Sequence, residues 1–396
     1  MCRAGVGGRA THGALLHWPC AAFPRIGASM QNQSFPIFLA CLPGLEHVLA
    51  EEAGTLGFGM PAIVAGGVEV QGTWHDVWRA NLWLRGASRV LVRIGNFRAM
   101  HLAQLDKRAR KFPWNEFLRA DVPVKIEATC LRSRIYHKGA AAQRVERAIT
   151  ETLGAPIDPA ADLRLMVRIE DDLVTLSLDT SGEGLHKRGH KLATGKAPLR
   201  ETMAALFLRQ MGFDGSQPVI DPMCGSGTFV IEAAEIAMGL APGRARPFAF
   251  EHLASFDGAA WAALHQPVPK TAPRQFLGFD RDQGAIRNAS ENAARAGVEG
   301  CTDFTCQPIS ALKRPDLPPG LIMVNPPYGG RIGNAKLLFG LYASLGTVLK
   351  EQFSGWRVGL VTSERKLAHV TGLPLTPGPL LPHGGLKVQF FQTPPL

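Results

Sequence analysis

Apolar positions change their period along this chain, and the changes divide it. Residues 36–40 read as a strand, and 44–54 as a helix with Leu45, Val48 and Leu49 on one face. A short strand at 67–71 follows, then a helix at 73–84 carrying Val77, Ala80, Asn81 and Leu84, then a strand at 88–94. Short strands mixed with two helices predict a small α+β sandwich. Val122, Val124, Ile126 and Ala128 alternate as a strand, and Ala141, Val145, Ala148, Ile149 and Leu153 keep helical spacing from about 139. The runs 163–169 and 174–178 alternate about a Glu-Asp-Asp turn as a hairpin. From 217 the pattern becomes strand, helix, strand. Strands are expected at 219–220, 275–279, 302–306, 321–324 and 357–361, and the last ones near 375 and at 386–391. Helices are expected from Thr228, from 283 to 296 and from 337 to 349. Such alternation builds an α/β domain with a largely parallel, doubly wound sheet, whose ligand sits at the carboxyl ends of the strands. Asp221, Asp280 and Asn325 all fall at such ends.

At 396 residues the chain has room for two or three domains. The expected division is 34–95, 96–180, a connector at 181–197 and a catalytic unit at 198–396. Residues 1–33 hold Arg3, Arg9 and Arg25 but no acidic residue. They read as a disordered extension, or as a mis-assigned start with Met30 the initiator; a transit peptide fits the composition but lacks a clean amphipathic repeat. No run of about 18 apolar residues exists, so no membrane span is expected. The seven cysteines are scattered without a C-x-x-C pair. That pattern predicts no metal site and suits a reducing cytoplasm. A monomer is favoured, though no feature fixes the oligomeric state.

A net charge of +10 favours a polyanionic partner. The basic run at 79–111 includes Arg108, Arg110 and Lys111, with Phe97, Phe112 and Trp114 within or just beyond it. Cations beside exposed rings are what an RNA surface needs; a solvated helix face with core aromatics is the plain alternative. Ser133, Arg134, Tyr136 and His137 form a basic, polar turn that either contacts RNA or is local turn structure. The connector is glycine-rich and carries Lys187 and Arg188, either to follow a phosphate backbone or as a simple linker. Pro198 is expected to open a helix with Leu199, Met203, Leu206 and Phe207.

Two stretches carry the chemistry. In 219–230 a β-branched run ends in Asp221-Pro222, a glycine turn follows (Met223, Cys224, Gly225, Ser226, Gly227), and Thr228 opens an apolar-periodic helix. Strand, glycine turn and helix make the floor of a nucleotide-type site. About a hundred residues on, an apolar strand ends in Asn325-Pro326-Pro327-Tyr328. A dinucleotide-binding G-x-G-x-x-G is not met, because Val230 stands where the third glycine belongs, and the Gly-Lys-Ser/Thr of a P-loop is absent.

The motif at 221–229 instead resembles the first motif of class I S-adenosylmethionine-dependent methyltransferases. Asp280 resembles their ribose-binding acid, and Asn325 to Tyr328 resembles the motif of enzymes that methylate a planar amine. The stretch 186–202 is similar to the segment leading into the catalytic domain of THUMP-domain guanine-N2 RNA methyltransferases. The resemblance implies a Rossmann-like catalytic domain preceded by a ferredoxin-like domain and a THUMP RNA-binding domain. It implies S-adenosylmethionine as cofactor, on Asp221, Pro222, Cys224, Gly225, Ser226, Gly227, Thr228, Asp280 and Asn325. It also implies a catalytic loop of Asn325, Pro326, Pro327 and Tyr328, with the tyrosine stacking on the base. Where the third strand usually ends in an acidic residue that reads adenine, this chain has Gln307-Pro308, so Gln307 or a backbone group is expected to substitute. The leading activity is methyl transfer to the N2 amine of a guanine in large-subunit (23S) ribosomal RNA. Alternatives are a tRNA guanine, adenine N6, a protein glutamine amide, or an RNA-binding ribosome-assembly factor with a decayed cofactor site.

Overall fold

The computed structural model of the chain describes residues 34–192, 199–264, 270–273, 275–329 and 335–396. The extension at 1–33, connector residues 193–197 and Pro198 lie outside the described residues.

The first half runs β1 (Phe35–Ala40), α1 (Glu46–Thr55), β2 (Ala62–Val64), β3 (Gly67–Gly72), α2 (Trp74–Trp83), β4 (Arg89–Arg98), α3 (Leu102–Ala109), β5 (Lys125–Leu131), α4 (Lys138–Leu153), β6 (Arg164–Glu170) and β7 (Leu173–Asp179). Its strands form one sheet in the order β2-β3-β1-β4-β7-β6-β5. Local chemistry sets the boundaries. Asp76 accepts the Thr73 amide at 2.9 Å and so caps α2. Gly154 ends α4 at φ +83°. The β6–β7 hairpin turns through Asp171 and Asp172, both at positive φ, which short Asp side chains tolerate. The division expected at residue 95 falls inside β4, which pairs with β1 on one side and β7 on the other. The two N-terminal modules therefore share a continuous ladder, and neither leaves an open edge at their junction.

The second half runs α5 (Glu201–Gln210), β8 (Val219–Asp221), α6 (Thr228–Ala237), α7 (Gly258–Leu264), β9 (Phe276–Asp280), α8 (Gln283–Ala296), β10 (Thr302–Cys306), β11 (Leu321–Val324), α9 (Ala335–Gln352), β12 (Arg357–Thr362), α10 (Arg365–Val370), β13 (Thr376–His383) and β14 (Leu386–Gln392). Sheet order is β10-β9-β8-β11-β12-β14-β13, with β14 antiparallel to both of its neighbours and β8 to β12 parallel. The order reverses between β8 and β11, which opens a crevice at the carboxyl ends of those two strands.

Several contacts fasten the halves together, α1 against α5 among them. The insertion between α6 and β9 carries Phe248, Phe250, Phe256 and Trp261, which gather around Trp78 of α2; the Trp78 ring centroid lies 6.2 Å from Phe250 and 6.0 Å from Phe256. Beside them is a buried charge cluster. Arg85 meets Glu232 at 2.8 Å and Glu235 at 3.5 Å, Arg188 meets Glu232 at 3.3 Å, and Arg244 meets Glu235 at 2.6 Å.

The connector departs from expectation over its described part, 181–192. Ser181, Leu185, Arg188 and His190 are buried, and Ser181 Oγ accepts the Val90 amide at 2.9 Å. These residues are a packed strap. Their charges and amides find partners in both halves, which a flexible linker would not supply.

Candidate active site

The crevice floor is built as its motif predicts. Asp221 ends β8, and its buried carboxylate accepts the Met223 amide at 3.0 Å. The chain then turns sharply: Cys224 N–H donates to the Phe279 carbonyl at 2.8 Å, and Gly227 N–H to the Cys224 carbonyl at 2.8 Å. Gly225 (φ +52°) and Gly227 (φ +83°) take the left-handed conformation that favours glycine. A Cβ on Gly225 would meet nothing within 4 Å, so this side of the turn faces open space. A Cβ on Gly227 would press on Ala289, Ile231 and Phe304 at 3.2 Å, so that glycine is also required for packing.

Asp280, at the end of β9, closes the turn from the next strand. Its Oδ2 accepts the Gly225 amide and its Oδ1 the Asp282 amide, each at 3.0 Å. Gln307, just past the end of β10, donates its backbone N–H to the Asp280 carbonyl at 2.9 Å. The motif's Pro222, Cys224, Ser226 and Thr228 are buried around this turn. Burial raises the Asp221 carboxyl well above its ordinary range, and Asp280 nearby adds to the effect. Burial pushes the Cys224 thiol up the same way, and its side chain packs with Ile286 and Ala289.

The second loop stands on the adjacent strand. Ile322 of β11 pairs with Ile220 of β8, so Asn325 rises two residues above the level of Asp221 on a neighbouring strand. Asn325 Oδ1 is buried and has no hydrogen-bond partner among the described residues, and neither has the Tyr328 hydroxyl. Tyr328 is 9% exposed, its ring set in the core, and burial raises its pKa to about 12. Its ring would have to turn outward to stack on a base.

Several supports carried no signal in the sequence. The Tyr342 hydroxyl on α9 lies 3.4 Å from the Pro327 carbonyl and 3.3 Å from Thr362 Oγ1. Glu364 accepts the Gly329 amide at 3.2 Å. Asn292 of α8 donates to the Ser226 carbonyl at 3.1 Å. Lys191, from the strap, donates to Thr228 Oγ1 at 2.8 Å and pairs with Glu201 at 3.0 Å. These side chains lie far apart in sequence and belong to no spacing pattern, so folding alone brings them together.

The residues expected on RNA divide. Arg108 and Lys111 are exposed at or beside α3, which packs along α4. Arg110 is held by Asp106 at 2.8 Å and by Glu151. His137 caps α4, its Nδ1 accepting the Ala140 amide at 3.0 Å, and stays exposed. Ser133 is turn structure: its hydroxyl donates to the Leu131 carbonyl at 2.7 Å and accepts the Asp172 amide at 3.1 Å. Arg134 is exposed above Asp172, and Lys187 is exposed and paired with Glu183 at 2.5 Å.

Arg188 is a correction. It is 2% exposed, spent on Glu232 and on the carbonyls of Leu185 (2.7 Å) and Arg85 (2.9 Å), and cannot reach a phosphate. The rings near the basic run turn inward as well: Trp114 is buried with its ring tilted against Phe112, centroids 4.5 Å apart, and Phe97 packs against the core. Tyr136, by contrast, is presented to solvent, 83% exposed between Arg134 and Lys138.

A doubly wound sheet with this strand order, a glycine turn closed by an acidic strand end and an Asn-Pro-Pro-Tyr loop on the next strand, defines the fold class of the methyltransferases. Residues 188–374 match the family described as RMKL-like, methyltransferase domain, and 36–91 the RlmL ferredoxin-like domain. A curated relative, "Ribosomal RNA large subunit methyltransferase K/L" of Syntrophotalea carbinolica, is 37% identical over 358 residues, covering 85% of this chain and 50% of that protein. A solved structure described as a "predicted N6-adenine-specific DNA methylase" from Listeria monocytogenes is 30% identical, with TM-score 0.80 over 91% of this chain and 96% of that one. A further solved structure, complexed with SAH, is 25% identical, with TM-score 0.81 over 92% of this chain and 98% of that one. The chain belongs to the RMKL-like methyltransferase family. It spans about half the length of the curated relatives it matches.

Proposed function

We propose that this chain transfers a methyl group from S-adenosylmethionine to the exocyclic N2 amine of a guanine in RNA, with large-subunit ribosomal RNA the substrate and a reducing cytoplasm the compartment. The observation that carries the reading is the buried, unpartnered Asn325 Oδ1 at the strand end beside the glycine turn. An orphaned buried acceptor costs about 1–3 kcal/mol, and an amine hydrogen would satisfy it.

The residues present fit the cofactor. The open side of Gly225 admits a ligand against bare backbone. Each Asp280 oxygen accepts one backbone amide and has a lone pair left for a ribose hydroxyl. Asp221 is a buried carboxyl near a second acid, where a cationic ligand would offset the burial of its charge. When bound, the cofactor supplies an electrophilic methyl on a sulfonium.

The chain's own part is to hold the amine. The guanine N2 lone pair is delocalised into the ring. Asn325 Oδ1 and the Pro326 carbonyl can accept its two hydrogens and aim the lone pair at the methyl. Tyr342 and Glu364 brace this loop from behind, and positioning of this kind provides much of the rate. No strong base is needed, because the nitrogen becomes acidic once alkylated and gives its proton to water.

RNA, rather than a protein amide, is favoured by the charge of +10, by exposed Arg134 and Lys138 flanking Tyr136, and by exposed Arg108 and Lys111 at the far end of α3. The reading is tested by transfer of labelled methyl to RNA from a strain lacking this protein, followed by nucleoside analysis. N2-methylguanosine in large-subunit RNA is expected. N6-methyladenosine, or label in transfer RNA alone, would overturn the assigned substrate; no transfer with no cofactor binding would favour a scaffold protein.

A further inference from the structure

The last two strands end in a hairpin that stands over the amine end of the crevice. Gly384 and Gly385 join β13 to β14 with φ +56° and +84°, a two-residue turn whose twist matches the strands and keeps the tip stiff. Gln389 of β14 pairs with Thr362, the last residue of β12. Leu386 therefore projects three residues, roughly 10 Å, past the carboxyl end of β12. That sheet edge also carries Asn325. Leu386 and its partner His383 continue the inner face of the buried pair Val388 and Leu381, but beyond the core, and Leu386 is 43% exposed. A Cβ on Gly329 would lie 3.8 Å from Leu386 Cδ1, so the leucine stands against the turn that closes Asn-Pro-Pro-Tyr. Exposed Lys387 follows it, and His383 is near Arg200. The tip thus joins a protruding aliphatic side chain to cations at the mouth of the site.

We propose that Leu386 is an apolar wedge that enters the RNA stack where the target guanine leaves it, while Lys387 meets the adjoining phosphate. The inference rests on base methylation as proposed above. The amine of a paired guanine is engaged with its partner and held within the stack, so the base must be extruded to reach Asn325. Extrusion costs unstacking, and an apolar side chain filling the gap offsets part of that loss.

The test uses two RNAs of one sequence around the guanine located by the labelling experiment, one with that guanine paired in a stem and one with it unpaired. 2-Aminopurine beside the target reports unstacking without any chemistry. Leu386→Ala is expected to lose about tenfold or more in turnover on the paired RNA and less than about twofold on the unpaired one. The fluorescence rise on binding should also be lost. Leu386→Met should restore both. Equal loss on the two RNAs, or full activity on the paired one, overturns the wedge while leaving methylation standing. A wild-type protein that methylates neither RNA overturns both readings.

Discussion

A buried carbonyl oxygen without a donor is destabilising, and Asn325 keeps one at the end of β11. Its replacement separates chemistry from binding. Asn325→Ala should lower single-turnover methyl transfer by about a hundredfold or more, in line with the loss of one oriented polar group. RNA affinity in a filter assay should stay within about twofold, because phosphate contacts elsewhere dominate it. Asp221 makes a prediction about pH. Its carboxyl is raised above the ordinary 3.8, so between that value and its folded pKa the free protein holds a proton the unfolded chain has lost. Its contribution to the stability of the free protein therefore falls as pH rises through the window. A cationic cofactor favours the carboxylate, so binding should release a proton there and tighten as pH rises. Titration calorimetry in buffers of different ionisation heat measures that proton, and Asp221→Asn should abolish it.

Among the elements, α6 links site and scaffold. It starts at Gly227 of the turn, and its buried Glu232 and Glu235 face Arg85, Arg188 and Arg244. Burial disfavours the Glu232 charge, but Arg188 and Arg85 hold its pKa below the ordinary 4.5. The stability it contributes is present above that value and is lost as pH falls through the folded pKa. Glu232→Gln leaves two buried guanidinium groups short of a partner and should destabilise by about 3–5 kcal/mol in urea unfolding. Lys187→Ala removes only an exposed pair with Glu183 and should cost about 1 kcal/mol or less. The contrast separates the buried cluster that holds Arg188 from the exposed pair of its neighbour Lys187.

For the whole molecule, the aromatic insertion and the ion cluster pack the N-terminal sheet against the C-terminal one, so the basic surface along α3 and α4 is joined to the candidate site through buried contacts. Lys107, Arg108 and Lys111 are exposed there. Replacing all three with Gln should weaken RNA binding and reduce the slope of log affinity against log salt by about 2, at roughly 0.7 per phosphate contact on single strands. Charge counting in the sequence could not tell these cations from Arg188, because a buried and an exposed arginine have the same local pattern. Aromatics misled for the same reason: Phe112 and Trp114 stand beside the cations in sequence yet face the core, whereas Tyr136 faces solvent.

The amino-acid sequence by itself determined the strand–helix alternation, the two strand-end loops and the family they belong to. Each rests on short-range periodicity or on a turn that only particular residues can make. Tertiary structure alone decided that the N-terminal modules share one sheet, that the connector is a strap closed by buried charge, and that Tyr342, Glu364, Asn292 and Leu386 stand around the crevice. Those depend on which distant side chains meet once the core is buried, and no local pattern in the chain encodes that.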